Sequence, residues 1–179
     1  MEIEKTKIEG LVIIKSKNFY DDRGFFTEIL KESVYLKELG QKFKQINLSV
    51  SKKNVLRGLH FQTGDKAQGK LIRVLKGEVF DVVVDIRKDS PTFRQWLSFN
   101  LSENDEKMIY VPTGCAHGFL SKKDGTVFLY ACTEEYSSGN EFGIRYDDPN
   151  LSINWPKTDN DDYILSKKDG ELPFLEKNE

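Results

Sequence analysis

An arginine and a histidine interrupt an otherwise apolar, strand-like stretch of the chain, VLRGLHFQ (55–62). The imidazole of His60 can gain or lose a proton near neutral pH, and the guanidinium of Arg57 suits the binding of an anionic group. Simple strand alternation predicts that these two side chains point to opposite faces of the strand. The stretch therefore fits either an edge strand with a hydrogen-bonded core histidine or one wall of a functional site.

Three further segments carry side chains that can take part in acid–base chemistry or bind anions. They are QGKLIRV with Lys70, YVPTGCAHGF with His117, and FLYACTEEY with Tyr130 and Tyr136. Each has an ordinary explanation as a surface cation, a core histidine or a pair of half-buried tyrosines. Strands of a small barrel can nevertheless bring distant segments into one cavity, which is a common position for a ligand. Together with His60, these residues predict a shared site.

The two histidines of the chain, His60 and His117, give little support for a metal centre. Neither belongs to an HxH pair or has a glutamate at a spacing that would complete three or four ligands. The segment GDKAQGK (64–70) looks like a phosphate-binding loop but lacks the Ser or Thr that would follow its lysine. We therefore expect no metal and no cofactor, and we expect His60 to act as an acid or a base.

The elements that would position these residues are mostly strands. In KLIRVLKGEVFDVVVDIR (70–87), residues 79–86 alternate between two faces and Gly77 marks a tight reversal. Residues 71–75 and 79–86 are therefore predicted to pair as an antiparallel hairpin. About ten short strands separated by turn signals predict a β-sandwich or barrel. The other predicted strands are GLVIIKS, FTEIL, QINLSVS, VLRGLHFQ, WLSFNLS, KMIYVP, GFLSKK, TVFLYACTEEY and FGIRYDD.

Helical signals are few. KESVYLKELG (31–40) has apolar residues near a helical period and ends at Gly40, which predicts one short helix. The C-terminal DNDDYILSKKDGELPFLEKNE (159–179) is predicted to be a polar linker, a short apolar anchor and a frayed end. No repeat, low-complexity block or shift in composition marks a second domain, so we expect a single domain over residues 1–179.

The bulk properties exclude several classes of partner. The 27 Lys+Arg and 29 Asp+Glu give a net charge of −2, and the charges are interspersed, so nucleic acid is not an expected partner. The N-terminal MEIEKTKIEG leads only to the short apolar run LVII, which fits neither a signal peptide nor a membrane span. Cys115 and Cys132 lack the spacing of a zinc site or a redox pair. We expect both to be reduced apolar fillers in a cytoplasmic protein with no membrane partner.

Five longer segments carry most of the distinctive residues: DDRGFFTE (21–28), QINLSVSKKNVLRGLHFQ (45–62), AQGKLIRVLKGEVFDVVVDIRKDSPTF (67–93), VPTGCAHGFL (111–120), and INWP followed by ILSKKD (153–169). This set, which spans nearly the whole chain, resembles the dTDP-4-dehydrorhamnose 3,5-epimerase family. The resemblance implies an all-β, cupin-type jelly roll, a double-sheet β-barrel with a few short helices. It also implies a homodimer that exchanges strands or N-terminal arms. The implied activity is a metal-independent epimerisation of a nucleoside-diphosphate 4-keto-6-deoxy sugar.

The resemblance also implies a role for each chemical residue. His60 matches the family's base, and Asp169 matches the carboxylate that would fix the imidazole tautomer and favour the imidazolium. Tyr130 matches the acid on the opposite face of the sugar, and Lys70 matches a cation placed to stabilise enolate charge. Without the resemblance, Asp169 would be assigned to a solvated tail. The matched substrate-binding residues are Arg57, Arg23, Phe26, Glu28, Gln45, Asn47, Ser49, His117 and Tyr136.

These binding residues fall into groups with different expected roles. Arg57 is expected to bind the diphosphate, because its fork of donors suits phosphate oxygens. Tyr136 is expected to position or stack on the substrate, and His117 to have a structural or diphosphate-side role. The arm DDRGFFTE (21–28) is expected to cross to the neighbouring subunit and meet the nucleotide there.

Three positions depart from the family pattern. Ile46 and Leu48 stand where many members have Asp and His, and Ala131 follows Tyr130 where a lysine is frequent. We expect these changes to alter the pocket, which leaves open whether the nucleotide is dTDP or GDP and whether the sugar is a hexose or a heptose. An epimerase that inverts only C3 or only C5 is the nearest competing function. The sequence also fits, less closely, a noncatalytic carbohydrate-binding cupin or a metal-dependent cupin oxygenase.

Overall fold

The chain folds mainly into short β-strands. The structure, a computed structural model, describes residues 2–158 and 162–175. A turn of 3-10 helix, Gly64–Lys66, connects two of the strands. In chain order the described elements are β1 (Glu2–Lys5), β2 (Val12–Lys15), β3 (Asn18–Asp21), β4 (Gly24–Thr27), α1 (Glu32–Leu39), β5 (Gln45–Ser51), β6 (Leu56–Gln62), β7 (Lys70–Lys76), β8 (Glu78–Asp85), β9 (Trp96–Ser102), β10 (Lys107–Val111), β11 (Cys115–Ser121), β12 (Thr126–Cys132), β13 (Glu141–Gly143) and α2 (Lys167–Gly170).

Two antiparallel sheets form the layers of a jelly roll. One has six strands in the order β1-β2-β10-β7-β12-β5, and the other has five in the order β13-β6-β11-β8-β9. Strands β3 and β4 form a separate hairpin. Consecutive strands often lie in different sheets, as β5 and β6 do, which is typical of this architecture. The all-β jelly roll that the sequence predicts is confirmed.

Apolar side chains fill three layers, one between the sheets and one on the outer face of each sheet. Between the sheets, Ile72 and Phe128 of one sheet pack with Val83 of the other. Tyr35 of α1 packs on the outer face of the six-stranded sheet, and residues 144–155 cover the outer face of the five-stranded sheet. Because β8 is covered on both faces, its central valines are all fully buried. Removing this apolar surface from water supplies the main drive for folding.

The predicted hairpin around Gly77 is wrong. Strand β7 pairs with β10 and β12, whereas β8 pairs with β11 and β9 in the other sheet. Gly77 has a φ of +84° and lies against Thr126, where an added Cβ would come within 2.4 Å of Thr126 Oγ1. The glycine therefore turns the chain from one sheet to the other in a space that admits no side chain. Alternation identifies both strands, but it carries no information about which strands pair.

A bulge in β6 overturns the predicted alternation of Arg57 and His60. Opposite them on β11, His117 pairs with His60 and Phe119 pairs with Arg57, so three steps along β6 match two steps along β11. The extra residue changes the phase of the strand. As a result, Arg57 and His60 both line one cavity between the sheets, although strict alternation places them on opposite faces.

The helix predicted from residues 31–40 is confirmed. Helix α1 ends with Gly40 at a φ of 66°, and the Gly40 N–H donates to the Leu36 carbonyl. The strand predicted at FTEIL is only partly correct, because β4 ends at Thr27 and pairs with β3 in the exposed hairpin. The predicted apolar anchor in the C-terminal segment pairs with the start of β6, where the Leu56 N–H donates to the Ile164 carbonyl at 3.1 Å. Most of the predicted polar linker and the frayed end (176–179) lie outside the described residues.

Two other sequence expectations concern the thiols and the membrane. Cys115 and Cys132 are both buried and neither forms a disulfide, as expected for apolar fillers. Within residues 2–158 and 162–175, no helix has the length and apolar character needed to cross a bilayer.

Candidate active site

A cavity of about 510 Å³ opens between the two sheets. It is lined from both sides, by β5, β7 and β12 of one sheet and by β6, β11 and β13 of the other, with α2 at its edge. Most of the site residues predicted from the sequence lie together here, although they come from segments up to about 120 residues apart. The predicted residues that line it are Gln45, Asn47, Ser49, Arg57, His60, Lys70, His117, Tyr130, Tyr136 and Asp169.

The C-terminal segment brings Asp169 to the cavity. Ile164 forms an isolated parallel bridge with Val55, and its backbone N–H donates to the Asn54 carbonyl at 2.8 Å. Two residues later, Ser166 caps α2 by accepting a hydrogen bond from the Asp169 N–H at 3.0 Å. This serine–aspartate spacing is a local signal of a helix start that sequence reasoning can use. The contact of this segment with β6 depends on the tertiary structure, and the composition of the C-terminal segment does not reveal it.

Asp169 holds one ring nitrogen of His60. The His60 Nε2 donates to Asp169 Oδ1 at 2.7 Å, and the carboxylate is almost fully buried. Burial alone would raise the pKa of Asp169, but hydrogen bonds from His60 and Ser166 and the nearby charge of Arg57 outweigh it and lower that pKa. The carboxylate therefore stays ionised. Because Nε2 carries a hydrogen and donates it in the bond to Asp169, the neutral ring has its free lone pair on Nδ1.

A second carboxylate, Glu141, lies near the other ring nitrogen. Its Oε1 is 3.8 Å from His60 Nδ1, which has no hydrogen-bond partner among the described residues. Its Oε2 accepts hydrogen bonds from the Tyr136 hydroxyl at 2.7 Å and from Lys168 Nζ. Burial alone would raise the pKa of Glu141, but these two hydrogen bonds lower it. Sequence reasoning missed Glu141, because nothing in the local pattern SSGNEFG points to His60.

Tyr130 faces the cavity from β12, in the sheet opposite to that of His60. Its ring packs beside Phe128, with ring centroids 6.2 Å apart. Burial raises the pKa of Tyr130, and Cys132 and Glu141 raise it further, while Arg57 opposes them. The phenol therefore keeps its proton over the physiological range and can donate it only to a strongly basic acceptor.

Lys70 begins β7 and reaches across to the strand that carries His60. Its Nζ donates to the His60 carbonyl at 3.3 Å. Burial lowers the pKa of Lys70, whereas Cys132, Glu141 and Asp81 act in the opposite direction. A partly desolvated ammonium beside the cavity interacts strongly with negative charge that develops there.

His117 belongs to a separate, deeply buried pair. Its Nε2 donates to Asp81 Oδ2 at 2.8 Å, and the imidazole ring stacks on Phe128. Asp81 is fully buried and its Oδ1 has no partner in the described part of the chain. His117 lines the cavity directly beside His60 on the neighbouring strand, whereas Asp81 does not line it. An acidic residue inside the apolar run VFDVVVD makes Asp81 unusual in the sequence, but the sequence does not indicate that its partner is His117.

Alternate residues of β5 line the cavity: Gln45, Asn47 and Ser49. Gln45 also accepts a hydrogen bond from the Tyr136 N–H at 2.8 Å, so it holds the loop that carries the second tyrosine. Arg57 donates to the hydroxyl of Ser51 at 3.1 Å, which fixes its stem beside the same strand.

The three departures from the family pattern lie away from this cavity, which corrects the expectation that they alter the pocket. Ile46 and Leu48 alternate with the cavity residues of β5 and are exposed on the outer face of the six-stranded sheet. Ala131 is buried on the same outer face, among residues that pack under α1. The lining of the cavity in this chain is therefore independent of these substitutions.

The arm residues do not reach the cavity of their own chain. Arg23 is paired with Asp21 and its side chain is 90% exposed, and Glu28 pairs with Lys31 on the surface. Phe26 is also exposed, on the β3–β4 hairpin. None of these three residues lines the cavity of the same chain.

The described residues contain no group of three or more His, Cys, Asp or Glu side chains arranged to hold a metal ion. His60 and His117 are instead each bonded to a single carboxylate.

Comparisons with known proteins identify the family of this chain. A profile of the family described as dTDP-4-dehydrorhamnose 3,5-epimerase matches residues 5–177. The enzyme of that name from Salmonella typhimurium is 46% identical over 178 residues, which cover 98% of this chain and 96% of the relative.

Solved structures show the same likeness. A dTDP-6-deoxy-D-glucose-3,5-epimerase from Legionella pneumophila, in complex with dTDP-4-keto-L-rhamnose, superposes with a TM-score of 0.91 at 44% identity, covering 97% of this chain and 92% of that one. A 3'-monoepimerase from Streptomyces bikiniensis, in complex with dTDP-quinovose, has a TM-score of 0.88 at 30% identity. The match covers 94% of this chain and 85% of the monoepimerase chain. The chain belongs to the dTDP-4-dehydrorhamnose 3,5-epimerase family, whose members are isomerases.

Proposed function

We propose that this protein inverts C3 and C5 of a dTDP-linked 4-keto-6-deoxy sugar, with His60 as the base and Tyr130 as the acid. One observation carries the proposal: an imidazole held by a carboxylate and a protonated phenol line the same cavity from opposite sheets. A sugar ring between the sheets meets the base on one face and the acid on the other. Inversion of a carbon requires that arrangement.

The first half of the reaction is removal of a proton. A C4 carbonyl acidifies the C–H bonds at C3 and C5, because the electron pair left behind is delocalised onto the carbonyl oxygen. His60 Nδ1 takes the proton, and Asp169 stabilises the imidazolium through Nε2. The ammonium of Lys70 stabilises the negative charge of the enolate.

The second half is protonation from the other face. Tyr130 gives its hydroxyl proton to the enolate carbon, and the carbonyl reforms with the carbon inverted. A buried phenol is a weak acid, but an enolate carbon is a strong enough base to accept its proton. The same steps at the second carbon require the half-processed ring to present its other acidic C–H to His60.

The proposal also specifies how the nucleotide is bound and which nucleotide it is. Arg57 is the cavity's exposed cation on β6, and its guanidinium suits the diphosphate. dTDP is favoured over GDP because the relatives and the ligands of the solved neighbours carry dTDP in their names. The expectations that no metal takes part and that the enzyme works in the cytoplasm stay predictions.

We further propose that the protein acts as a homodimer. Strand β5 is an edge strand, and its outer face exposes Ile46, Leu48 and Val50 by 62%, 58% and 59%. Four aromatic side chains on the β3–β4 hairpin, which pairs with neither main sheet, are also exposed. An unpaired edge with an apolar stripe is typical of a surface that another chain covers. A dimer built there would let the arm bring Arg23, Phe26 and Glu28 to the partner's substrate.

Incubation of dTDP-4-keto-6-deoxyglucose with the enzyme in D2O tests the activity. Deuterium and inversion at both carbons, located by NMR, support the proposal. Label at C3 alone would instead identify a one-carbon epimerase. No exchange at either carbon, with dTDP- or GDP-linked hexose or heptose ketosugars, would refute epimerisation and favour a binding protein.

A further inference from the structure

Inversion of two carbons by one acid–base pair creates a problem of proton balance. After the first inversion His60 carries one proton more than at the start, and Tyr130 carries one fewer. His60 must lose that proton and Tyr130 must gain one before the second carbon can react. A sugar that remains bound against His60 covers the direct route from its imidazolium to solvent. This reasoning rests on the proposed function.

Glu141 is placed to take the proton from His60. Its Oε1 lies 3.8 Å from Nδ1, the nitrogen that has no hydrogen-bond partner among the described residues. Its backbone is fixed, because β13 pairs with β6 and the register places Gly143 opposite His60. Oε1 is thus held beside the atom that carries the substrate's proton.

The other oxygen of Glu141 is anchored towards solvent. Oε2 accepts from the Tyr136 hydroxyl and from Lys168 Nζ, and both of those residues are more than half exposed. The Glu141 side chain itself keeps 16% exposure. One end of the carboxylate therefore faces the base, while the other lies at the rim of the cavity.

We propose that Glu141 resets the base between the two inversions, by taking the proton from the His60 imidazolium and releasing it to water at the rim. A small rotation of either group, drawn by their opposite charges, closes the 3.8 Å gap to hydrogen-bond length. Tyr130 takes one proton from water in the cavity. For each inversion, one proton leaves through Glu141 and one enters at Tyr130, so the enzyme returns to its starting state.

The lowered pKa of Glu141 suits this relay. The hydrogen bonds from Lys168 and Tyr136 outweigh burial and lower the pKa of Glu141, so the carboxyl holds the proton only briefly and passes it on. Asp169 cannot serve in the same way, because it is bonded to Nε2 and is almost fully buried. Glu141 is thus a positioning and relay residue that acts through His60, while the substrate contacts are made by His60 and Tyr130.

Single-turnover reactions of Glu141→Gln with dTDP-4-keto-6-deoxyglucose in D2O test the relay. We expect inversion of the first carbon to remain within about threefold of wild type and inversion of the second to slow by about tenfold or more, so that the singly inverted sugar accumulates. The matched control is Glu134→Gln, since Glu134 is also 16% exposed and paired with lysines. Equal slowing at both carbons, or at neither, would overturn the relay.

Glu141→Ala gives an independent readout that a purely structural role would not produce. Formate, a small carboxylate that fits the vacated space, is expected to accelerate the second inversion in this variant and to leave wild type unchanged. Absence of rescue in a folded Glu141→Ala protein would overturn the proposal. Failure of the proposed function is distinct, because wild type would then exchange deuterium at neither carbon.

Discussion

At the residue scale, the site depends on how burial shifts the pKa values of two ordinary side chains, Tyr130 and Lys70. The same desolvation that raises the pKa of Tyr130 lowers the pKa of Lys70, because each group is pushed towards its neutral form. Tyr130 is thereby kept as a proton donor, whereas Lys70 keeps its charge less firmly than a surface lysine. The alkaline side of the activity profile should therefore report on the lysine and not on the tyrosine.

Replacement of Lys70 by arginine tests that assignment. We expect kcat/KM of wild type to fall as pH rises through the lowered pKa of Lys70, below the usual 10.5, since the enolate then loses its cation. A guanidinium stays charged, so Lys70→Arg should move this fall to higher pH, while the changed geometry lowers the neutral-pH rate by about tenfold. The measurement is the pH profile of kcat/KM.

The control for this experiment is Lys66→Arg, because Lys66 lies outside the cavity and pairs with Glu134. Its profile should match that of wild type. An alkaline limb at the same pH in wild type and Lys70→Arg would show that another group controls it.

The sequence predicts some of the residues that line the site and misses others. His60 and Lys70 could be predicted because they are polar side chains in otherwise apolar strands. The catalytic roles of Tyr130 and Asp169 were assigned only through the family resemblance. Glu141 and Asp81 were missed, since their partners lie on strands or loops far away in sequence. Contacts of that kind depend on strand pairing, which single-sequence periodicity does not encode.

At the element scale, strand identity was predictable but strand phase and pairing were not. The alternation of β5 and β8 and the glycine stop of α1 are local patterns. The change of sheet at Gly77 and the bulge of β6 arise instead from close tertiary packing. The bulge is functionally the more important, because it aligns Arg57 with His60.

Replacement of Gly58, the bulge residue, tests this dependence. Its φ is +116°, and an added Cβ would lie 2.6 Å from the Gly118 Cα, a contact that the backbone cannot relieve. We expect Gly58→Ala to lower the free energy of unfolding by roughly 3 kcal/mol or more, measured by urea denaturation. Gly125→Ala is the control, since Gly125 also has positive φ but has open space around it, and should cost about 1 kcal/mol. Equal losses would show that packing against Gly118 is unimportant.

At the scale of the whole molecule, the two sheets hold the proposed acid and the proposed base on opposite sides of the cavity, and the arm does not line the cavity of its own chain. Helix α1 covers much of the outer face of the six-stranded sheet but leaves the β5 stripe exposed. The two-layer fold was predictable from the number and spacing of the strands. The crossing of the arm to another subunit was predicted only through the family resemblance, and it stays a prediction.

Leu48→Glu tests the dimer at that stripe. The leucine is mostly exposed in one chain, so the substitution should leave the fold intact while placing a charge in the proposed interface. We expect sedimentation to give the monomer mass and activity to fall sharply, since the partner's arm is lost. Phe174→Glu, another exposed apolar site, should remain dimeric. A monomeric wild type, or a Leu48→Glu protein that is still a dimer, would contradict the proposal.

The most direct test of the central claim compares deuterium exchange with inversion in Tyr130→Phe and His60→Asn, using dTDP-4-keto-6-deoxyglucose in D2O. With the base intact and the acid removed, Tyr130→Phe should still exchange the C–H next to the carbonyl, while inversion falls by about 100-fold or more. His60→Asn should lose exchange and inversion together. Inversion by Tyr130→Phe at the wild-type rate, or continued exchange by His60→Asn, would contradict an acid and a base that act from opposite sheets.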